Sequence, residues 1–103
     1  MNVTNAKVIR AFIDGDKAES GSMTSNELRG NNNSIQLLYS YNTVIAYRWN
    51  GFCHVTTHKY SVTTSKQRHL LLRELLRELP TVKLIHEDLD GFSALYFLQS
   101  KGA

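Results

Sequence analysis

The chain has 103 residues, of which 42% are hydrophobic and 20% are charged, and its formal net charge is +3. This length fits one domain, residues 1–103, and the composition is that of a folded core rather than of a disordered chain. The longest apolar run, Ala94 to Leu98, is far shorter than a membrane span, and Met1 to Lys17 has no apolar core of signal-peptide length. We therefore expect a cytoplasmic protein without a membrane segment, and the single cysteine, Cys53, suits a reducing compartment.

The charges are distributed unevenly along the chain. No Asp or Glu occurs from Leu28 to Arg73, and the carboxylates lie before and after that stretch. A basic middle between acidic ends indicates an anionic partner for the middle, although cations at this density also occur on ordinary solvated surfaces. The cations of the stretch are Arg29, Arg48, Lys59, Lys66, Arg68 and Arg73.

The first predicted element is a short helix, which Thr4 or Asn5 caps and which runs to about Ile13. The sequence Asp14-Gly15-Asp16 ends it. Ser20 to Asn33 is rich in Ser, Asn and Gly and is predicted to be a loop. The apolar positions that fall on one face of the helix are Val8, Ile9, Phe12 and Ile13.

Three strands are predicted next, because β-branched and aromatic residues are dense from Ser34 to Ser40 and from Thr43 to Trp49. Asn50-Gly51 is typical of a two-residue type I′ turn, so a hairpin is expected there. Its register places Trp49 opposite Phe52, Tyr47 opposite His54 and Ile45 opposite Thr56 on one face. The other face then holds Val44, Ala46, Arg48, Cys53, Val55 and Thr57.

A second helix is predicted from Ser65 to Leu79, ended by Pro80. Thr64-x-x-Gln67 has the form of a capping box at its start. Two further strands are predicted at Thr81 to His86 and at Phe92 to Gln99. The buried stripe of the helix is expected to be Leu71, Leu72, Leu75, Leu76 and Leu79.

The resulting order is α-β-β-β-α-β-β, an α+β fold. We expect an antiparallel sheet, made of three central strands and a C-terminal hairpin, with both helices packed on one face. The final hairpin either extends this sheet or folds separately over a helix.

The start of the second helix is the strongest candidate site, because free backbone N–H groups, hydroxyls and cations converge there as in phosphate sites. Capping alone also explains the hydroxyls, but cations oppose the positive end of the helix dipole. Lys66 shares the outer face of the helix with Arg73 and Arg77. The candidate anion-binding residues are Thr63, Thr64, Ser65, Lys66, Arg68, Arg73, Arg77, Arg48 and Lys59.

The hairpin also carries an aromatic set, formed by Tyr39, Tyr41, Tyr47, Trp49 and Phe52. Exposed aromatics on a basic sheet stack single-stranded bases in several nucleic-acid binders, whereas aromatics on a buried face form a core, which is the interpretation we favour. Because the other hairpin face is also apolar, both faces need a cover. Helices, the C-terminal hairpin or a second subunit would provide this cover, and a second subunit would make the protein a homodimer.

No catalytic or metal site is predicted. His54 and His58 are too far apart along a strand to share a metal ion, and His69 and His86 have no partner at ligand spacing. Cys53 and His54 are adjacent on a strand and point to opposite faces, so they do not form a nucleophile–base pair. We expect no cofactor and no enzymatic activity.

Two motifs carry a family resemblance. "LLYSYNTVIAYRWNG" followed by "KYSVTTSKQ" resembles a widespread group of small uncharacterised proteins of phages and mobile elements. The resemblance runs from about Asn5 to Leu76 and leaves out the final hairpin. It implies a small accessory protein that acts by binding nucleic acid, a host enzyme or a defence component. The matching positions are Ser40, Tyr41, Thr43, Ile45 and Ala46, then Tyr60, Ser61, Thr63, Thr64 and Ser65.

Three functions follow as hypotheses. The first is a non-enzymatic accessory protein that binds an anionic partner, with nucleic acid as the leading candidate. The second is an anti-defence or host-takeover inhibitor that binds a host protein in the host cytoplasm. The third is a protein that binds a nucleotide or a phosphorylated small molecule at the helix start.

Overall fold

The computed structural model describes residues 4–30, 34–49, 52–58, 62–78, 82–86, 89, 93 and 96, apart from the side chains of 62–65, 76 and 78. The described residues include two helices with defined bounds, α1 (Asn5–Asp14) and α2 (Val62–Glu78), and six strands. The strands are β1 (Ala18–Glu19), β2 (Met23–Arg29), β3 (Ser34–Ser40), β4 (Thr43–Trp49), β5 (Phe52–Thr56) and β6 (Val82–Ile85).

The strands form one sheet in the order β1-β2-β3-β4-β5-β6. Neighbours from β1 to β5 are antiparallel, as expected for strands joined by short turns, whereas β6 is parallel to β5. The parallel pairing follows from the chain path, because α2 returns the chain to the end at which β5 began. The sheet is therefore mixed, and the prediction of a purely antiparallel sheet was wrong.

Helix α1 was predicted closely. Thr4 is its N-cap, and the Thr4 Oγ1 accepts a hydrogen bond from the Lys7 N–H at 3.3 Å. Gly15 ends the helix in the left-handed region at φ 84°, which costs glycine little. The four residues predicted for its buried face are all buried, namely Val8, Ile9, Phe12 and Ile13.

The predicted loop at Ser20 to Asn33 was wrong, because it contains β2. The composition of this segment does not predict a strand, since Met23–Arg29 contains few apolar residues among Ser, Asn, Glu and Arg. Hydrogen bonding to β3 determines it instead, with Met23 opposite Ser40 and Arg29 opposite Ser34.

The hairpin of β4 and β5 has the predicted register, with Trp49 opposite Phe52 and Tyr47 opposite His54. The Asn50-Gly51 turn itself lies outside the described residues. A β-bulge in β4 at Ile45 reverses the predicted faces before Ala46, because Leu38 pairs with Ala46 and Tyr39 with Val44. Ile45 therefore belongs to the core under the helices, and Val44 to the opposite face.

Both helices pack on one face of the sheet, as predicted. On α2, Leu71 and Leu75 are fully buried and Leu72 is partly buried. Leu79 and the Leu76 side chain lie outside the described residues. The main core between the helices and the sheet comprises Val8, Ile9, Phe12, Ile13, Met23, Leu38, Ile45, Ala46, Cys53, Val55, Leu71 and Leu75.

The other face of the sheet has a second, smaller core. Leu89, from the segment after β6, is 3% exposed and packs against this face. Of the predicted last strand at Phe92 to Gln99, only Ser93 and Tyr96 are described, and Tyr96 is helical. The sheet residues of this second core are Ile35, Leu37, Val44 and Tyr47.

The predicted capping box at Thr64 and Gln67 was wrong. Helix α2 begins at Val62, so Thr64 lies within its first turn rather than at the cap. Gln67 is 4% exposed, and its amide points toward the sheet: the Nε2 donates to the Ser22 Oγ at 2.9 Å, and the Oε1 accepts from the Ser40 Oγ.

A polar network extends from Gln67 to the start of α1. The Asn5 Oδ1 accepts from the Ser22 Oγ at 3.1 Å and from the Ser20 Oγ. The Ser20 Oγ in turn accepts from the Met23 N–H at 2.9 Å. These bonds join both helices, the β1–β2 turn and the end of β3. Neither helix in the described residues has the length and apolar character required to cross a membrane.

Replacing Gln67 with Ala removes hydrogen bonds from a buried position and leaves a void beside Ser40. We expect the free energy of unfolding to fall by about 2–3 kcal/mol, since buried polar groups that lose a partner carry their desolvation cost. Urea unfolding followed by far-UV circular dichroism measures this. Lys66→Ala, on the exposed neighbour, is the control and should change stability by less than ~0.5 kcal/mol. Equal losses in the two variants would contradict the role of the network.

Candidate functional site

The outer face of α2 carries a row of cations. Because Gln67, Leu71 and Leu75 turn toward the sheet, other positions of the helix face solvent, and Lys66, Arg73 and Arg77 are all exposed. A shallow groove of about 360 Å³ is lined by Lys66, His69, Leu70 and Arg73. We call Lys66, His69, Arg73 and Arg77 the basic face. In the sequence, His69 was considered only as a metal ligand without a partner, and helical spacing from Lys66 and Arg73 is the signal that places it here.

The cations of the basic face differ from arginines elsewhere in their partners. Arg10 pairs with Asp14 at 3.7 Å along α1. Arg29 bonds Glu27 at 2.7 Å, and this hydrogen bond raises the pKa of the guanidinium. Within the part of the chain that the structure describes, Lys66, Arg73 and Arg77 form no ion pair. Their positive charge is therefore available to a partner.

The predicted site at the start of α2 is only partly described. Thr63, Thr64 and Ser65 lie in the first turns of the helix, where no acidic residue occurs, but their side chains lie outside the described part. Lys59 lies outside it as well. Arg68 is half-buried, and its Nη1 donates to the His58 main-chain oxygen at 2.8 Å, so it holds the helix start against the end of β5.

Arg48 is placed apart from the basic face. Its Nη1 donates to the Phe12 oxygen at 3.2 Å and to the Ile13 oxygen, which puts a cation at the negative end of the α1 dipole. It also lines a different cavity, together with Ile13 and Gln36. The structure therefore does not bring Arg48 together with Lys66 and Arg73 as the sequence hypothesis assumed.

The aromatic set is mostly part of the second core. Tyr47 is buried and stacks on His54, with ring centroids 4.7 Å apart, while Trp49 is partly buried against the same cluster. Tyr41 does not share this face, because it occupies the β3–β4 turn with φ 55°. Phe52 is 38% exposed, and the Lys83 Nζ lies 4.5 Å from its ring centroid.

Cys53 is not available as a nucleophile. It is 1% exposed in the main core, and burial raises the pKa of its thiol to about 12, although the nearby Arg48 charge lowers this pKa in part. Its sequence neighbour His54 lies on the opposite face against Tyr47, as the strand geometry predicted. Among the described residues, no group of three His, Cys, Asp or Glu side chains is arranged to hold a metal ion.

Comparison with protein families gives one match. The model of a family of unknown function, DUF8033, matches residues 6–78, which is most of the chain and contains α1 from its second residue, the first five strands and α2. This range agrees with the extent of the sequence resemblance, and β6 lies beyond it. No curated protein and no solved structure matches the chain.

The raised pKa of Cys53 gives a prediction about reactivity. At about pH 8 the folded protein should react with a thiol reagent much more slowly than the urea-unfolded protein, because the buried thiol stays protonated.

A neutral buried thiol stabilises the fold below its ordinary pKa of 9.0, and this contribution is lost as the pH rises toward about 12. Comparing the unfolding free energies of the parent and Cys53→Ala across this range isolates the effect. Equal reaction rates of the folded and unfolded protein with the thiol reagent would contradict the predicted protection of the Cys53 thiol.

Proposed function

We propose that the chain, which belongs to the DUF8033 family of unknown function, is a non-enzymatic accessory protein of a phage or mobile element that binds nucleic acid through the basic face of α2. The observation that carries the proposal is the set of exposed cations on this face without ion pairs in the described residues. The two sequence motifs support the viral or mobile-element setting, and the single cysteine suits a cytoplasmic one.

The geometry of the basic face suits an extended polyanion. Lys66 and Arg77 are eleven positions apart on one helix, so their Cα atoms are separated by about 16 Å along the helix axis. The charges thus form a row that follows several consecutive phosphates rather than a pocket that encloses one. The groove at Lys66, His69 and Arg73 is shallow, which also favours a backbone contact over a deeply bound base.

Binding of this kind is dominated by the release of counterions from the phosphates. Affinity then falls steeply with salt and depends little on base sequence. His69 is exposed beside Lys66 and Arg73 and lines the same groove.

The double variant Lys66→Ala/Arg73→Ala tests the basic face. We expect it to weaken binding of a fluorescent DNA or RNA oligonucleotide, measured by anisotropy at low salt. The slope of log K against log salt should become shallower by about 1.4–1.8, the value for the loss of two phosphate contacts.

A matched control removes the same charge from another surface. Lys7 and Lys17 are exposed on α1 and just after it, so Lys7→Ala/Lys17→Ala lowers the net charge equally. If both double variants lose the same affinity, only net charge matters and the basic face is not the site. Absence of binding by the parent protein at low salt would reject the function itself.

The second candidate function is an inhibitor that binds a host protein, and one observation favours it. Leu84 in β6, the last strand of the sheet, is 55% exposed and lies beyond the family match. An exposed apolar side chain on the outermost described strand suits a protein partner or a second copy of the chain. A specific host protein retained in a nuclease-treated pull-down, and lost with Leu84→Lys, would favour this function.

The third candidate function is binding of a nucleotide. It predicts that a panel of nucleotides raises the melting temperature of the parent protein and does not raise that of the Lys66→Ala/Arg73→Ala variant.

A further inference from the structure

A second polar site lies on the helix-facing side of the sheet, away from the basic face. Glu27 of β2 is paired with Gln36 of β3, and Gln36 with Arg48 of β4, so their side chains form one row across three strands. The row borders an open cavity of about 310 Å³ at the C-terminal end of α1, which Asp14 and Ser34 also line.

Gln36 has an acceptor without a donor. Its Nε2 donates to the Asp16 main-chain oxygen at 3.0 Å and to the Ser25 Oγ at 2.8 Å, and these two acceptors determine which end of the amide carries the nitrogen. The Oε1 is buried and accepts no hydrogen bond from the residues that the structure describes. Such an atom carries an uncompensated desolvation cost, which a donor supplied by a ligand would remove.

Arg48, at the other end of the row, is a half-buried cation without a carboxylate partner among the described residues. Its Nη1 is occupied by the carbonyls at the end of α1, but a guanidinium has five N–H groups, and the described contacts use only this nitrogen. The Glu27 Oε1 accepts a hydrogen bond from Arg29, which leaves the Glu27 Oε2 available to accept a hydrogen bond from a ligand.

We infer that this cavity binds a small zwitterion, namely an α-amino acid or a compound with the same adjacent ammonium and carboxylate groups. On binding, the Gln36 side chain turns its Oε1, which is closed to solvent in the free protein, toward the ligand ammonium. The ammonium also donates to the Glu27 carboxylate, and the ligand carboxylate accepts from Arg48. A nucleotide fits less well, because Asp14 and Glu27 repel a polyanion. A simple cation fits less well, because Arg48 repels it.

The chain contains a direct reporter for this site. Trp49 is its single tryptophan and is among the residues that line the cavity. Titration with the standard L-α-amino acids, followed by tryptophan fluorescence and confirmed by calorimetry, should give a saturable signal for one amino acid or one chemical group of them. The matching amine without the carboxylate, and the matching acid without the amine, should each bind at least about tenfold more weakly, because each lacks one charged contact.

Glu27→Gln is the test variant, because it keeps the shape of the side chain and removes the charge. It should weaken binding of the amino acid about tenfold or more and leave oligonucleotide binding unchanged. Lys66→Ala/Arg73→Ala is the control and should show the opposite pattern, so failure of this site and failure of the basic face are distinguishable. Far-UV circular dichroism establishes that both variants are folded.

Three results would overturn the inference. The first is no fluorescence change and no heat with any amino acid up to ~10 mM, a concentration that detects even weak specific binding. The second is equal binding of the amine or the acid alone. The third is unchanged amino-acid affinity in folded Glu27→Gln.

Discussion

The buried amide of Gln67 is the contact on which the placement of both helices depends. Its nitrogen donates to Ser22 and its oxygen accepts from Ser40, and Ser22 in turn donates to Asn5 at the start of α1. Apolar packing alone permits a helix to rotate or slide on a sheet, because hydrophobic contacts have no direction. Hydrogen bonds in a buried site do not permit this, since each shift leaves a polar group without a partner. The rotation of α2 is thereby determined, and with it the exposure of Lys66.

The structure separates two kinds of positive charge. The cations of the basic face lie on the outer surface of α2, in water and along a row, where they suit a long polyanion. Arg48 lies on the inner side of the sheet, where it binds the end of α1 and belongs to the polar row with Gln36 beside the open cavity. A charge in water contributes to long-range attraction that salt screens, whereas a half-buried charge acts at short range on a ligand of matching shape. The two proposed sites therefore differ in the size of ligand that they select.

The second core explains why the aromatic hairpin is not an open stacking surface. Tyr47 is covered on the face away from the helices, where Leu89 packs into the same cluster, and its ring stacks on His54. Both faces of the sheet are thus covered at this point by the chain itself, and a second subunit is not required there. Phe52 remains partly exposed at the end of the hairpin, with Lys83 above its ring.

The sequence by itself determined the elements whose signals are local. The bounds of β3 and β4, the cap and buried face of α1 and the register of the β4–β5 hairpin follow from apolar periodicity and turn chemistry within a few residues. Tertiary structure decided the rest. Strand β2 has a polar composition and exists because β3 pairs with it, and the bulge at Ile45 reverses part of a face that strict alternation assigned. Gln67 has the spacing of a capping residue, but its amide bonds to serines far away in sequence, and Arg48 counts as a surface cation until the end of α1 is placed beside it. These outcomes depend on contacts between distant segments, and no local pattern specifies them because partners are chosen by burial and hydrogen bonding in the folded chain.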